Sequence, residues 1–211
     1  AKLIKTPGAA HMEISPGWSG GDIVAGAVGP NITILRGNSI EVEEAVVNEK
    51  PDGTTNETVT AYGQRIYQTF SLASNVTWTV ARIEVRVRKV GAPADNLRVR
   101  LVQDSGGTPG TTLETVTVAP GDISATTDWL TISLTNTVAI SYGTTYGLLI
   151  DRLGAMDAFD YYEVEIVEEG GYSRGALKLY DGSSYQAHDG DLIFRVLGAQ
   201  DTALQMSDVI L

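Results

Sequence analysis

At 211 residues the chain is long enough for one sizeable core, or for one domain with long arms. Its formal charge of -11 argues against a nucleic-acid footprint, which needs a clustered excess of Lys and Arg. With no cysteine, thiol catalysis, disulfides, zinc ribbons and iron–sulfur clusters are excluded.

Glycine, threonine and valine are abundant and no long helical period occurs, so the composition favours an all-β protein with many turns. No apolar run approaches the roughly 20 residues a membrane helix needs, so no membrane insertion is expected. The N-terminus lacks the apolar centre of a signal peptide and reads as the product of initiator-Met removal ahead of Ala1.

Residues 1–60 read as an extended N-terminal arm. Ser15 to Gly21 is turn-rich, and Asn31 to Glu44 could form a small hairpin with Ile32 and Ile34 facing Ile40 and Val42. Asn48 to Glu57 reads as a linker. Trp18, in the arm, is a candidate anchor for a neighbour's pocket.

Residues 61–198 carry a dense strand pattern, opening near Arg65 to Leu72. The stretch Ala81 to Gly110 organises the rest. Ile83, Val85 and Val87 fall on one face of an extended chain, and Arg82, Glu84, Arg86 and Arg88 on the other. After the turn formers Gly91 to Asn96, Leu97, Val99 and Leu101 alternate with Arg98 and Arg100. The two runs read as one long antiparallel unit, and the arginines as a solvated outer face paired with Glu and Asp. Further strands are expected at Leu113 to Val118, Asp128 to Leu134, Val138 to Ile140, Tyr146 to Ile150, Phe159 to Val167, Ala176 to Tyr180 and Leu192 to Leu197. Nine or ten short strands at regular spacing predict an antiparallel two-sheet, jelly-roll-like sandwich. Residues 199–211 form a C-terminal docking tail, apolar at Leu204, Met206, Val209, Ile210 and Leu211.

Several short patterns within 61–198 resemble a jelly-roll module that recurs in bacterial surface proteins, modular secreted proteins and phage structural proteins. They are Gln68-Thr-Phe70, Arg88 to Pro93 followed by Asn96 to Val99, and Asp104 to Gly110 with Leu113. Tyr142 to Tyr146, Tyr161-Tyr162, Gly170-Gly-Tyr172 and Asp191 to Gly198 complete the set. The resemblance implies the sandwich fold, generally without an assigned activity. Where such modules often carry a late Trp, this chain has Tyr185.

An enzymatic reading needs a constellation, and none is found. His11 and His188 are the only histidines; His188 reads as a surface-loop residue, with Asp189 or Asp191 able to orient it but no Gly-x-Ser-x-Gly elbow nearby. Asp160, Glu163, Glu165, Glu168 and Glu169 cluster along one strand and its exit. Glu163 and Glu165 share a face, which points to a solvated face opposite the arginine-rich strands rather than to glycoside cleavage. Phosphate-cradling glycine loops are absent. Calcium is a conceivable cofactor, with Asp104, Asp151, Asp189 and Asp191 as loop or strand-end ligands. Trp78 and Trp129 fall on strand patterns and read as core.

Two functions from different classes follow as expectations. The first is a non-enzymatic structural subunit of a virion, such as a phage capsid decoration, head-fibre or tail-associated protein assembled in a host cytoplasm. It would join copies of itself and other virion proteins through Trp18, Ile32, Ile34, Leu204, Met206 and Ile210. The alternative is a carbohydrate-binding module, extracellular or at a cell surface, attaching to glycan through Tyr161, Tyr162, Tyr172, Tyr180 and Tyr185, because exposed aromatics stack on sugar faces. A weaker alternative is an extracellular filament subunit whose arm or tail completes a neighbour's sheet.

Overall fold

The computed structural model describes residues 3–5, 12–14, 45–49, 56–60, 65–73, 75, 77–154, 158–167 and 172–200. The chain divides into two compact units, Glu43–Asp201 and a second made of Ala1–Val42 with Thr202–Leu211. The described part of the second unit is an antiparallel pair, β1 (Leu3–Lys5) and β2 (Met12–Ile14).

The larger unit is an all-β sandwich of two antiparallel sheets. Its strands in chain order are β3 (Ala45–Glu49), β4 (Asn56–Thr60), β5 (Ile66–Ser71), β6 (Thr77–Val90), β7 (Leu97–Asp104), β8 (Pro109–Val118), β9 (Asp128–Ser141), β10 (Thr145–Arg152), β11 (Tyr161–Val167), β12 (Leu177–Tyr180), β13 (Tyr185–His188), β14 (Asp191–Leu192) and β15 (Phe194–Gln200). A single 3-10 turn, Pro120–Asp122, interrupts the described strands. One sheet runs β13-β12-β5-β10-β7-β8. The other runs β14-β11-β6-β15-β3, with β4 added to β11 and β9 added to β6.

The core lies between the sheets and follows the alternation. Val80, Ile83, Val85 and Val87 of β6 face Leu97, Val99 and Leu101 of β7, Ile66 and Phe70 of β5, and Leu148 and Ile150 of β10 in one apolar cluster. Each such side chain removed from water contributes roughly 1.5–3 kcal/mol, so strands with an apolar face on only one side are held in that register.

Three expectations change here. First, β6 and β7 do not pair: β6 bonds to β9, β11 and β15, and β7 to β8 and β10. Period-2 alternation reports which face of a strand is buried, not which strand lies beside it. Gly91, at φ 67°, turns the chain out of one sheet, and the connection is held on the β11 side, where Ala92 N–H donates to Asp160 Oδ1 at 2.6 Å. Second, the expected linker 48–57 carries strand at both ends: Arg195 and Val196 of β15 pair with Glu49 and Asn48, and Val167 and Ile166 of β11 with Asn56 and Glu57. The sandwich unit therefore begins at Glu43, inside the stretch read as an arm over 1–60. Third, 128–134 and 138–140 belong to one strand, β9, whose ladder to β6 jumps from Val80–Val138 to Arg82–Ser133. The extra residues there lie on β9. Against β15 it is Ala81 of β6 that is extra, between the pairs Arg82–Leu197 and Val80–Gly198, and this shifts the phase of β6 so that Val80 and Ile83 share a face.

The last strand enters as a wedge. Ile193 N–H donates to Glu165 O of β11 at 3.1 Å, while Ile193 O accepts from Arg86 N–H of β6 at 3.3 Å. The chain thus leaves β11 and joins β6 within one residue.

Candidate functional site

The outer face of the six-stranded sheet is the most chemically organised surface of the sandwich. Its register aligns one row across all six strands: Ala187, Lys178, Tyr67, Leu149, Arg100 and Thr115. Two residues along each strand lies a second row. In it Tyr185 pairs with Tyr180, Tyr180 N–H donates to Arg65 O at 2.8 Å, and Asp151 pairs with Arg98.

The first row is floored by a small apolar cluster outside the main core, made of Tyr67, Val102 and Leu149 with Tyr185 packed against it. Tyr67 is fully buried there. It lies across Gly147 of β10, where a Cβ would collide with its ring. Its hydroxyl donates to Asp104 Oδ1 at 2.7 Å, and Asp104 Oδ2 accepts from Gly107 N–H at 2.9 Å, which pins the β7–β8 turn. Burial first, and the Asp104 carboxylate second, push the Tyr67 phenol far above its ordinary value.

The second row is cationic and aromatic. Tyr180 and Tyr185 are half-buried, with ring centroids 5.1 Å apart, and Tyr185 meets Tyr67 edge-on at 5.7 Å. The Arg65 guanidinium lies 4.8 Å from the Tyr180 ring centroid, a cation–π arrangement. Asp151, 4% exposed, accepts from Arg98 Nε at 2.8 Å, Arg98 Nη2 at 2.7 Å and Arg100 Nη2 at 2.7 Å. Burial lowers the Arg100 guanidinium from its usual value against the opposing pull of Asp151, and Arg98 and Arg65 repel it further. Arg100 Nε is buried without a hydrogen-bond partner.

The outer face of the other sheet is neutralised instead. Arg88 Nε donates to Glu163 Oε2 at 2.5 Å, Arg86 pairs with Glu165, and Arg195 with Glu84 at 3.2 Å. The pairing of the arginine face with Glu163 and Glu165 is as expected from the sequence. The two carboxylates are buried rather than solvated, each 8% exposed. Trp129 departs from its expected place in the core. Since Leu130 and Ile132 point inward, Trp129 must point out, and Arg195 covers its ring at 4.0 Å. Trp78 packs against the core.

Of the five expected ligand-binding tyrosines, the structure brings two together, Tyr180 and Tyr185. Tyr162 is fully buried, and its hydroxyl donates to Asp95 O at 2.5 Å. Tyr172 is buried in edge contact with Phe194, and Tyr161 is half-buried on β11. The four expected calcium ligands are spread out. Asp104 and Asp151 serve Tyr67 and the arginines, Asp191 accepts from Gln68 Nε2 at 3.0 Å, and Asp189 is exposed. Among the described residues no three His, Asp or Glu side chains gather as a metal group. His188 stands on a strand, not a loop, and its buried Nδ1 lacks a partner, so neither neighbouring Asp orients it there. Trp18, Ile32, Ile34, Leu204, Met206 and Ile210, with His11, Glu168 and Glu169, lie outside the described residues. Arg65 was missed in the sequence because nothing local distinguishes it. Only the β5–β12 pairing puts it against Tyr180.

Fold and face together define an all-β, two-sheet sandwich with an aromatic and cationic stripe on one sheet. No family model and no curated protein matches the chain. Among solved structures it is similar to one described as the crystal structure of infectious bursal disease virus VP2 subviral particle, at 14% identity with a TM-score of 0.23, over 69% of this chain and 40% of that one. A likeness of that size assigns neither fold nor function. Among the described residues no helix is long and apolar enough to cross a membrane.

Proposed function

We propose that this chain is a non-enzymatic structural subunit of a virion, a bacteriophage capsid decoration, head-fibre or tail-associated protein. It joins copies of itself and other virion proteins through its two end segments. The supporting observation is that the sandwich is complete within Glu43–Asp201, while both chain ends group in a unit of their own. Among the described residues every member of the main core cluster lies between Ile66 and Val196. Segments that group outside a compact unit can add buried area between subunits, a route to an oligomer. Light scattering on the full chain and on 43–201 tests this. The full chain is expected to form a defined oligomer and the shorter one a folded monomer by circular dichroism. Equal assembly of both overturns the proposal.

A second reading, a glycan-binding module, is favoured by the Tyr180–Tyr185 pair on the outer face. Replacing both tyrosines by alanine should abolish binding on a glycan array while leaving the oligomer intact. Unchanged binding removes that reading.

A further inference from the structure

We infer that the row Tyr185, Tyr180, Arg65, Asp151 and Arg98, with Arg100 beside it, binds an acidic glycan carrying a carboxylate on each sugar, a polyuronate. This rests on the glycan-binding reading above and names its ligand class.

The charge balance points there first. The whole chain carries -11, yet the guanidiniums of Arg65 and Arg98 in this row, and of Arg100 beside it, meet the one carboxylate of Asp151 there. Two further carboxylates of the face, Asp104 and Asp181, keep their charge but sit at the hairpin ends, outside the row. Asp104 holds Tyr67 and Gly107, and Asp181, in the β12–β13 turn, accepts from Ser183, Ser184 and Gln186. Lys178 of the neighbouring row adds to the positive side, its Nζ donating to Gly107 O at 2.7 Å.

Donor counting points the same way. A guanidinium has five N–H groups in a fork that matches a carboxylate. Arg98 gives Nε and Nη2 to Asp151, and Arg100 gives Nη2 while its Nε stays unpartnered. Arg65 is exposed, with its guanidinium set on the Tyr180 ring. Arg100 Nε is buried, so the Arg65 guanidinium and the outward donors of Arg98 and Arg100 would receive the carboxylates of the ligand. Tyr180 orients Arg65, and Tyr185, held by Tyr67 and Tyr180, supplies apolar ring surface for a sugar.

Length argues for a chain rather than a single sugar. Adjacent strands are about 4.8 Å apart, so the path from Tyr185 on β13 to Arg98 on β7 crosses four spacings, on the order of 20 Å. Arg65 and Arg98 flank β10 at two spacings, roughly 10 Å, far enough apart to hold separate carboxylates of one chain. A nucleic acid fits less well, because phosphate neutralisation needs a clustered excess of Lys and Arg larger than this stripe offers.

The test is calorimetric titration of the full chain with tetragalacturonate, its fully methyl-esterified form and a short oligothymidylate. The expected result is binding of the acid, at least tenfold weaker binding of the ester, and at least a tenfold loss in Arg65→Met and in Tyr185→Ala, both checked for folding by circular dichroism. Equal binding of acid and ester overturns the acidic-glycan inference but leaves the glycan reading standing. No binding of either sugar overturns both. Oligothymidylate binding as tightly as the acid, or variants that bind like the parent, overturns the assignment of this row.

Discussion

Gln68 of β5 reaches across the sandwich to Asp191 of β14: its Nε2 donates to Asp191 Oδ1 at 3.0 Å while its Oε1 accepts from Leu192 N–H at 2.8 Å. Gln68 is fully buried and Asp191 3% exposed. Asp191 Oδ2 also accepts from Tyr172 N–H. A buried polar bridge therefore joins the two sheets beside their apolar core. Either partner lost leaves a buried donor or acceptor unsatisfied, which costs roughly 1–3 kcal/mol. Gln68→Leu and Asp191→Ala should each lower stability by about that amount in urea unfolding, and the double variant by clearly less than the sum. Additive losses would show that the two side chains do not act as a pair.

Tyr67 lies flat over Gly147, and its hydroxyl is fixed by Asp104, so the ring has no room to yield. Gly147→Ala puts a methyl group where the ring edge stands. Overpacking of this kind costs about 1–3 kcal/mol. The loss in thermal or urea stability should shrink markedly when the same change is made in a Tyr67→Leu background. The same loss in both backgrounds would place its cause in the backbone of β10.

These two contacts mark where the sequence stops being legible. The alternation of Ile83, Val85 and Val87, and of Leu97, Val99 and Leu101, announces an all-β sandwich and the residues of its core. It is silent about partners, because one face of a strand repeats every two residues whatever lies beside it. So β6 and β7 look paired and are not, and Asp151 looks like a free loop carboxylate although Arg98 and Arg100 lie opposite it. The match of Glu163 and Glu165 to Arg88 and Arg86 was readable, since both sets alternate on strands of opposite charge. Tyr180 and Tyr185 were visible as candidates among five tyrosines. What separates them from Tyr162 and Tyr172 is the hairpin that turns them onto the outer sheet face, a matter of tertiary pairing.

Among the described residues, Tyr162 and Tyr67 should titrate late. Burial, followed by the charge of Asp95, pushes Tyr162 up to about 12, and burial with the Asp104 hydrogen bond pushes Tyr67 higher still. The ordinary phenol value is about 10. Between these values the folded chain holds protons that the unfolded chain has released, so stability falls as pH rises through this window and is intact below it. Phenolate absorbance of the native protein should lack the amplitude of these two groups until well above pH 10, and unfolding should restore it. Tyr162→Phe and Tyr67→Phe should each remove part of the delayed signal. Loss of neither delayed component in the two variants would contradict the burial of both.

Acid should act through Asp95. Its carboxylate accepts from Arg152 Nε and from Gly154 N–H at 2.8 and 2.7 Å, and its own carbonyl takes the Tyr162 hydroxyl. The Arg152 hydrogen bonds hold the Asp95 carboxyl below the usual carboxylate range, against the opposing effect of burial. With the folded value depressed, the stabilisation is complete above the unfolded value of about 3.9 and drains away as pH falls through the folded one. Arg152 has a side chain only 7% exposed, so its cation stays buried when Asp95 is neutralised. Asp95→Asn should therefore lower stability at pH 7 and flatten the acid limb of the stability profile below the unfolded value of about 3.9. Urea midpoints measured across that range for parent and variant decide the matter. An acid limb equally steep in both would assign the loss to other carboxylates.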